Sequence, residues 1–284
     1  MKEQSAAKKE GKLAKAAQKR AVKTIEKAHT RDSLQALSKL GEQVDGSYRI
    51  VSQPPIVVPA RDLAATYGLS ADEVGHVIRE QFRNYRATLQ DDRRKLLERF
   101  EVVDLARKVV GVGSVGTRAW VLLFAGRGGQ DPLVLQMKEA QASVLEPYLG
   151  ASAFDNHGER VVRGQRLSQA AIDVFLGWQR SPGLDGVDRD FYIRQLWDWK
   201  ASIDLSTMDA SGLHAYTRAC GWSMARAHAR SGDRVAVAAY LGAGPKFDRA
   251  IAQFSTAYAD QNELDYQRLA DGVSTGEVTA ESGV

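Results

Sequence analysis

Lys108-Val109-Val110-Gly111-Val112-Gly113-Ser114-Val115-Gly116-Thr117-Arg118 leads into the apolar run Ala119 to Ala125. A second apolar run, Leu133-Val134-Leu135-Gln136-Met137, ends in Lys138. G-x-G-x-x-G alone is a weak pattern, so its flanks decide the reading. In a dinucleotide-binding turn the third glycine opens a helix. Here Gly116 is followed by Thr117, Arg118, Ala119, Trp120, Val121, Leu122, Leu123 and Phe124, with no N-cap, and the run closes at Gly126-Arg127-Gly128-Gly129. β-Branched, aromatic and aliphatic residues closed by glycines read as a strand and a turn. A Walker A loop is excluded because no Gly-Lys-Ser/Thr follows the glycines. Strands are expected at about 102–112, 117–125 and 132–140, the first two forming a hairpin.

A glycine-rich hairpin followed by a lysine-bearing strand is the arrangement that kinases place over nucleotide phosphates. Glycines let backbone N–H groups approach phosphate oxygens with no Cβ in the way. A lysine on the next strand adds a point charge. The candidate binding residues are therefore Gly111, Gly113, Ser114, Gly116 and Lys138. An ammonium ending a buried strand needs a carboxylate or a ligand. Glu139 should point to the opposite face of the strand. Glu146 and Glu159 follow on helical stretches, and Glu159 is the first choice. The alternatives stay open: Glu159 could simply favour a helix N-terminus through the dipole. The loop could likewise be a plain tight hairpin with a snorkelling Lys138.

Several segments, in order, resemble the bacterial family known as domain of unknown function 2252. They are Thr30 to Leu40, Val109 to Gly116, Leu135 to Ala140, Arg166 to Trp178, Tyr192 to Leu196, Ala225 to Asp233 and Tyr258 to Glu263. The resemblance implies a kinase-like phosphotransferase with motifs in permuted order. Its Gly-Asp-x-His-x-x-Asn catalytic loop and Asp-rich metal motif would precede the segment seen here. The chain would then be a truncated or split C-terminal part. It would bind ATP, with Mg²⁺ engaged only when a separately encoded catalytic half is present, and would not transfer phosphate alone.

The body is ordinary for a soluble globular protein, with 44% apolar and 26% charged residues. Cys220 is the single cysteine, which excludes an internal disulfide and suggests a reducing cytoplasm. It is expected to be buried on a helix. No metal-ligand spacing appears among His29, His76, His157, His214 and His228. Residues 1–31 hold ten Lys or Arg against three Glu, a charge of +7, whereas the remainder carries −3. Such an arm could contact nucleic acid as part of a non-enzymatic scaffold. No aromatic residue interleaves its lysines, so a solvated helix is the simpler reading.

The fold expected is α+β: a small antiparallel sheet packed with a mainly helical part, as an incomplete kinase-like two-lobed protein. The divisions are a basic arm at 1–31, a family-like domain at 32–272 and a polar, disordered tail at 273–284. Within the domain, 32–200 would form the clamp lobe and 201–272 the helical part. Ser70 with Glu73 is a capping box opening a long amphipathic helix. That helix should break near Asp91-Asp92, a solvated charge cluster. Residues 158–176 read as one helix, 191–197 as a strand leading to a hinge that could face an adenine. Helices are expected at 208–230, 233–241 and 246–271. His228 to Asp233 superficially suggests a catalytic loop. Position 238 is alanine where a metal-binding asparagine would be needed, so the segment reads as a helix end.

Overall fold

A computed structural model describes residues 33–44, 46–111, 116–126, 128–129, 131–196 and 203–280. The basic arm 1–31, Gly113 and Ser114 lie outside the described residues. Contacts divide the chain into two units, Met1–Met224 and Ala225–Val284.

The first unit is built on an antiparallel six-stranded sheet. In chain order it contains α1 (Ser33–Leu40), β1 (Gly41–Val44), β2 (Ser47–Ile50), β3 (Val57–Pro59) and α2 (Ala60–Ala64). Next come α3 (Ala71–Ala87), α4 (Asp91–Leu97), β4 (Phe100–Lys108), β5 (Ala119–Gly126) and β6 (Pro132–Ala140). It continues with α5 (Glu146–Leu149), α6 (His157–Ser168), β7 (Gly177–Pro182), β8 (Asp188–Gln195) and the start of α7 (Ala210–Ser231). The sheet order is β3-β4-β5-β6-β8-β7, and β1 and β2 form a separate hairpin. The class is α+β, as the sequence indicates.

Alternation of side chains gives the sheet two different faces. On the first, Leu105, Trp120, Leu122, Leu135, Met137, Phe191 and Ile193 form a core with residues of α2, α3 and α4. Ser70 caps α3 by accepting the Glu73 N–H, while Glu73 reaches back to the Ser70 N–H. The helix stops at Ala87, and α4 begins at Asp91, so the expected break is present. Asp91 and Asp92 pair with Arg94 and Arg93 at the surface. Tyr85 is buried in this core and donates to the Phe175 carbonyl at 2.5 Å.

On the second face, Ala36, Leu37 and Leu40 of α1 pack with Ile50, Val57, Ala106, Val121, Leu123, Val134 and Leu196. The β1–β2 hairpin is tied there because Asp104 accepts from the Ile50 N–H at 2.8 Å and from Arg61, which also donates to the Ile50 carbonyl. At the other end of this face, α6 lies over β7 and β8. Gly158 permits that approach, since a Cβ there would overlap the Phe191 carbonyl. Asp190 anchors the start of α6, accepting from the His157 N–H at 2.8 Å and the Asn156 amide at 3.0 Å, with Arg180 on its other side.

Two segments differ from the sequence reading. The helix expected over 158–176 ends at Ser168, because Gln169 is extended. Residues 169–176 instead form a loop held by Asp173, which accepts the Phe175 and Gln195 N–H groups, and by Arg166, which donates to the Leu176 carbonyl. These tertiary bonds override a helix-compatible composition. Residues 177–182, not singled out as a strand from sequence, form β7 through pairing with β8.

The second unit contains the end of α7, then α8 (Arg234–Leu241) and α9 (Lys246–Ser274). Asp233 is the N-cap of α8, accepting from the Val235 and Ala236 N–H groups. Gly232 donates to the His228 carbonyl. The His228–Asp233 stretch is therefore a helix end and a cap, in keeping with the sequence. Cys220, expected to be buried, is instead an exposed free thiol. Among the described residues, helix α7 carries none that is buried.

Candidate functional site

The second face of the sheet has a polar end. Alternation along β6 places Gln136 and Lys138 on this face, because Leu135 and Met137 belong to the opposite core. Lys138 stands opposite Ala119 of β5 and Tyr192 of β8. Gln136 stands opposite Val121 and Arg194. In β4, Arg107 pairs with Trp120, so the next residue, Lys108, is turned to the Ala119 side. The small Ala119 thus separates Lys108 from Lys138 in one cross-strand row.

These residues open onto a cleft of about 730 Å³. Lys108, Gly111, Gln136, Lys138 and Arg194 contribute the sheet side and the start of the glycine loop. Gln165 of α6 and the 169–173 loop contribute the other wall. The volume is in the range of small-molecule sites. At the loop's ends, a Cβ on Gly111 would meet open space, and Gly116 has φ +79°, a conformation that favours glycine.

The electrostatics are lopsided. Among the described residues that line the cleft, Lys108, Lys138 and Arg194 supply three cations and Asp173 one carboxylate. Asp173 uses its oxygens on the Phe175 and Gln195 N–H groups. Burial holds the Lys108 ammonium below the usual lysine range. Among the described residues no carboxylate forms an ion pair with it. The Nη2 of Arg194 donates to Gln136 Oε1 at 3.5 Å, while its Nε is buried without a hydrogen-bond partner among the described residues.

Of the residues singled out from sequence, Gly111 and Lys138 line the same cleft, and Gly116 lies at the far end of the loop. Glu159 is placed elsewhere. It sits in the first turn of α6, where its carboxylate accepts from Arg163 at 3.1 Å and its N–H is capped by Asn156. Arg163 and Arg166 in turn lie over the Trp178 ring, towards β7. It is Gln165, further along the helix, that reaches the cleft. Glu146 accepts the Ser143 N–H in its own turn. Glu139 points to the opposite face, as alternation requires, and accepts from both the backbone and side chain of Arg118.

Lys108, Gln136 and Arg194 were not identified by sequence reasoning. The signal for Gln136 was present in its spacing of two from Lys138. Lys108 and Arg194 depend on strand register, which a motif does not disclose.

A second, shallower cleft of about 480 Å³ lies beside the start of α6. Its Arg180 and Asp190 are engaged with each other at 2.6 Å. Among the described residues, no group of three or more His, Cys, Asp or Glu is placed to hold a metal ion. None of the helices described is long and apolar enough to cross a membrane.

A family model described as "Uncharacterized protein conserved in bacteria (DUF2252)" matches residues 2–271. No curated protein and no solved structure matches the chain.

Proposed function

The chain belongs to the DUF2252 family of proteins conserved in bacteria, and from that premise we propose that its cleft binds the phosphates of an ATP-like nucleotide. The observation that carries this reading is the convergence of Gly111 and Lys138. They lie 27 positions apart and line one cleft. Phosphate oxygens would be met by backbone N–H groups of the glycine loop and by the Lys138 ammonium. The order of hairpin, lysine strand, helix and returning strands supports a kinase-like reading of this lobe.

The kinase-type pairing of the lysine with a helix carboxylate is not part of the proposal, because Glu159 is engaged with Arg163. Mg²⁺ would arrive on the nucleotide's own phosphates. Phosphotransfer needs groups that hold the metal and orient an acceptor hydroxyl. The proposed role of this chain is therefore recognition, with any transfer depending on a catalytic part supplied separately.

Calorimetric titration of the protein with Mg·ATP, beside Lys138→Ala, tests the reading. Removing one charge-assisted contact should weaken binding about tenfold or more. Absence of binding by a folded wild type would retire the nucleotide reading.

A further inference from the structure

We propose that Lys108 and Arg194 act with Lys138 as a three-cation seat for a chain of phosphates, so that the cleft selects ligands carrying at least a diphosphate. The choice of ligand rests on the nucleotide-phosphate reading above. The choice of residues rests on sheet register and burial.

Lys108, Lys138 and Arg194 belong to β4, β6 and β8, and all three line the cleft. β4 and β8 are three strand spacings apart in the sheet order β4-β5-β6-β8. At the usual spacing this spreads the cation-bearing backbones over roughly 14 Å. A single phosphate meets one part of such a row, whereas linked phosphates can follow it. Two further features are what an anion would resolve. The Lys108 ammonium is half-buried with no carboxylate paired to it among the described residues, and burial lowers its affinity for a proton. The Arg194 guanidinium keeps a buried Nε–H without an acceptor among the described residues. Gln136, buried and in contact with Arg194, holds the guanidinium on this face. Ala119, small and buried, stands between Lys108 and Lys138 in the row.

The test is titration of the full chain with Mg·ATP, inorganic tripolyphosphate and AMP. The variants are Lys108→Gln, Arg194→Gln and Arg194→Lys, with urea unfolding as the check on folding. ATP and tripolyphosphate should both bind. Lys108→Gln and Arg194→Gln should each weaken both ligands about tenfold, with Arg194→Lys closer to wild type. AMP should bind markedly more weakly than ATP. ATP binding that neither neutralising variant alters, or AMP binding as tight as ATP, would overturn the three-cation seat while leaving the nucleotide reading in place. Tripolyphosphate binding without ATP binding would retire the nucleotide and keep the seat. If a folded wild type binds neither, both ideas fail.

Discussion

The two faces of the six-stranded sheet are made from the same strands and do opposite things. On β6, Leu135 and Met137 are fully buried against α2, α3 and α4. Gln136 and Lys138, their immediate neighbours, line the cleft on the other side. The first face has apolar partners along most of its length. The second is apolar only where α1 packs, and then turns to Lys108, Gln136, Lys138 and Arg194. Both faces therefore carry a core, and ligand recognition is proposed only for the polar end of the second.

Adjacent substitutions should separate these roles most sharply. Met137→Ala removes a buried side chain and should cost about 2–5 kcal/mol in urea unfolding. Lys138→Ala, one residue on, should stay within about 1 kcal/mol of wild type and affect ligand binding instead. Comparable losses of stability from both would break the division between faces.

The next effect concerns the helix that closes the cleft. Gly158→Ala should cost about 1–3 kcal/mol, because its Cβ overlaps the Phe191 carbonyl and pushes α6 away from β8. Thermal unfolding would read the loss. An unchanged midpoint would mean that α6 can shift to accept the methyl without loss of packing.

A smaller effect belongs to the apolar face. Tyr85→Phe loses the bond to the Phe175 carbonyl and should cost about 1–2 kcal/mol. Burial pushes the Tyr85 phenol well above its usual range. Its contribution is complete below the unfolded value of about 10 and is lost as pH rises through the folded value. Wild type should therefore lose stability above pH 10 more steeply than Tyr85→Phe, as followed by urea midpoints. Parallel pH curves would contradict this.

The smallest effect lies at the surface. The Arg189 guanidinium, by hydrogen bonding to Asp185, holds its carboxyl down to about 2. This pair favours the folded state above the ordinary value of 3.8 and ceases to do so as pH falls through about 2. Arg189→Gln should flatten the decline in urea midpoint over that window. The group is partly solvated, so the change should be small.

Much of this division could be read from the chain. Alternation in Leu133–Lys138 gave the strand and the facing of its lysine. The glycines gave the hairpin, and Ser70 with Glu73 gave the start of α3. The 169–176 loop was not legible, because the bonds that hold it run from Asp173 to Gln195 and from Tyr85 to Phe175, across long sequence separations. The same holds for β7, which depends on β8 for its pairing. Of the residues lining the cleft, the motif singled out Gly111 and Lys138 but not Lys108 or Arg194. These become neighbours only through register. Glu159 was drawn to the site by helix position, yet its place on α6 gives it to Arg163.

The most direct test of the two-face account is urea unfolding of wild type and Lys138→Ala, each with and without Mg·ATP. A ligand bound only by the folded chain raises its stability by mass action. The account predicts nearly equal midpoints without nucleotide and an ATP-induced increase in wild type that is lost or greatly reduced in Lys138→Ala. No increase in wild type, or an equal increase in both proteins, would contradict it.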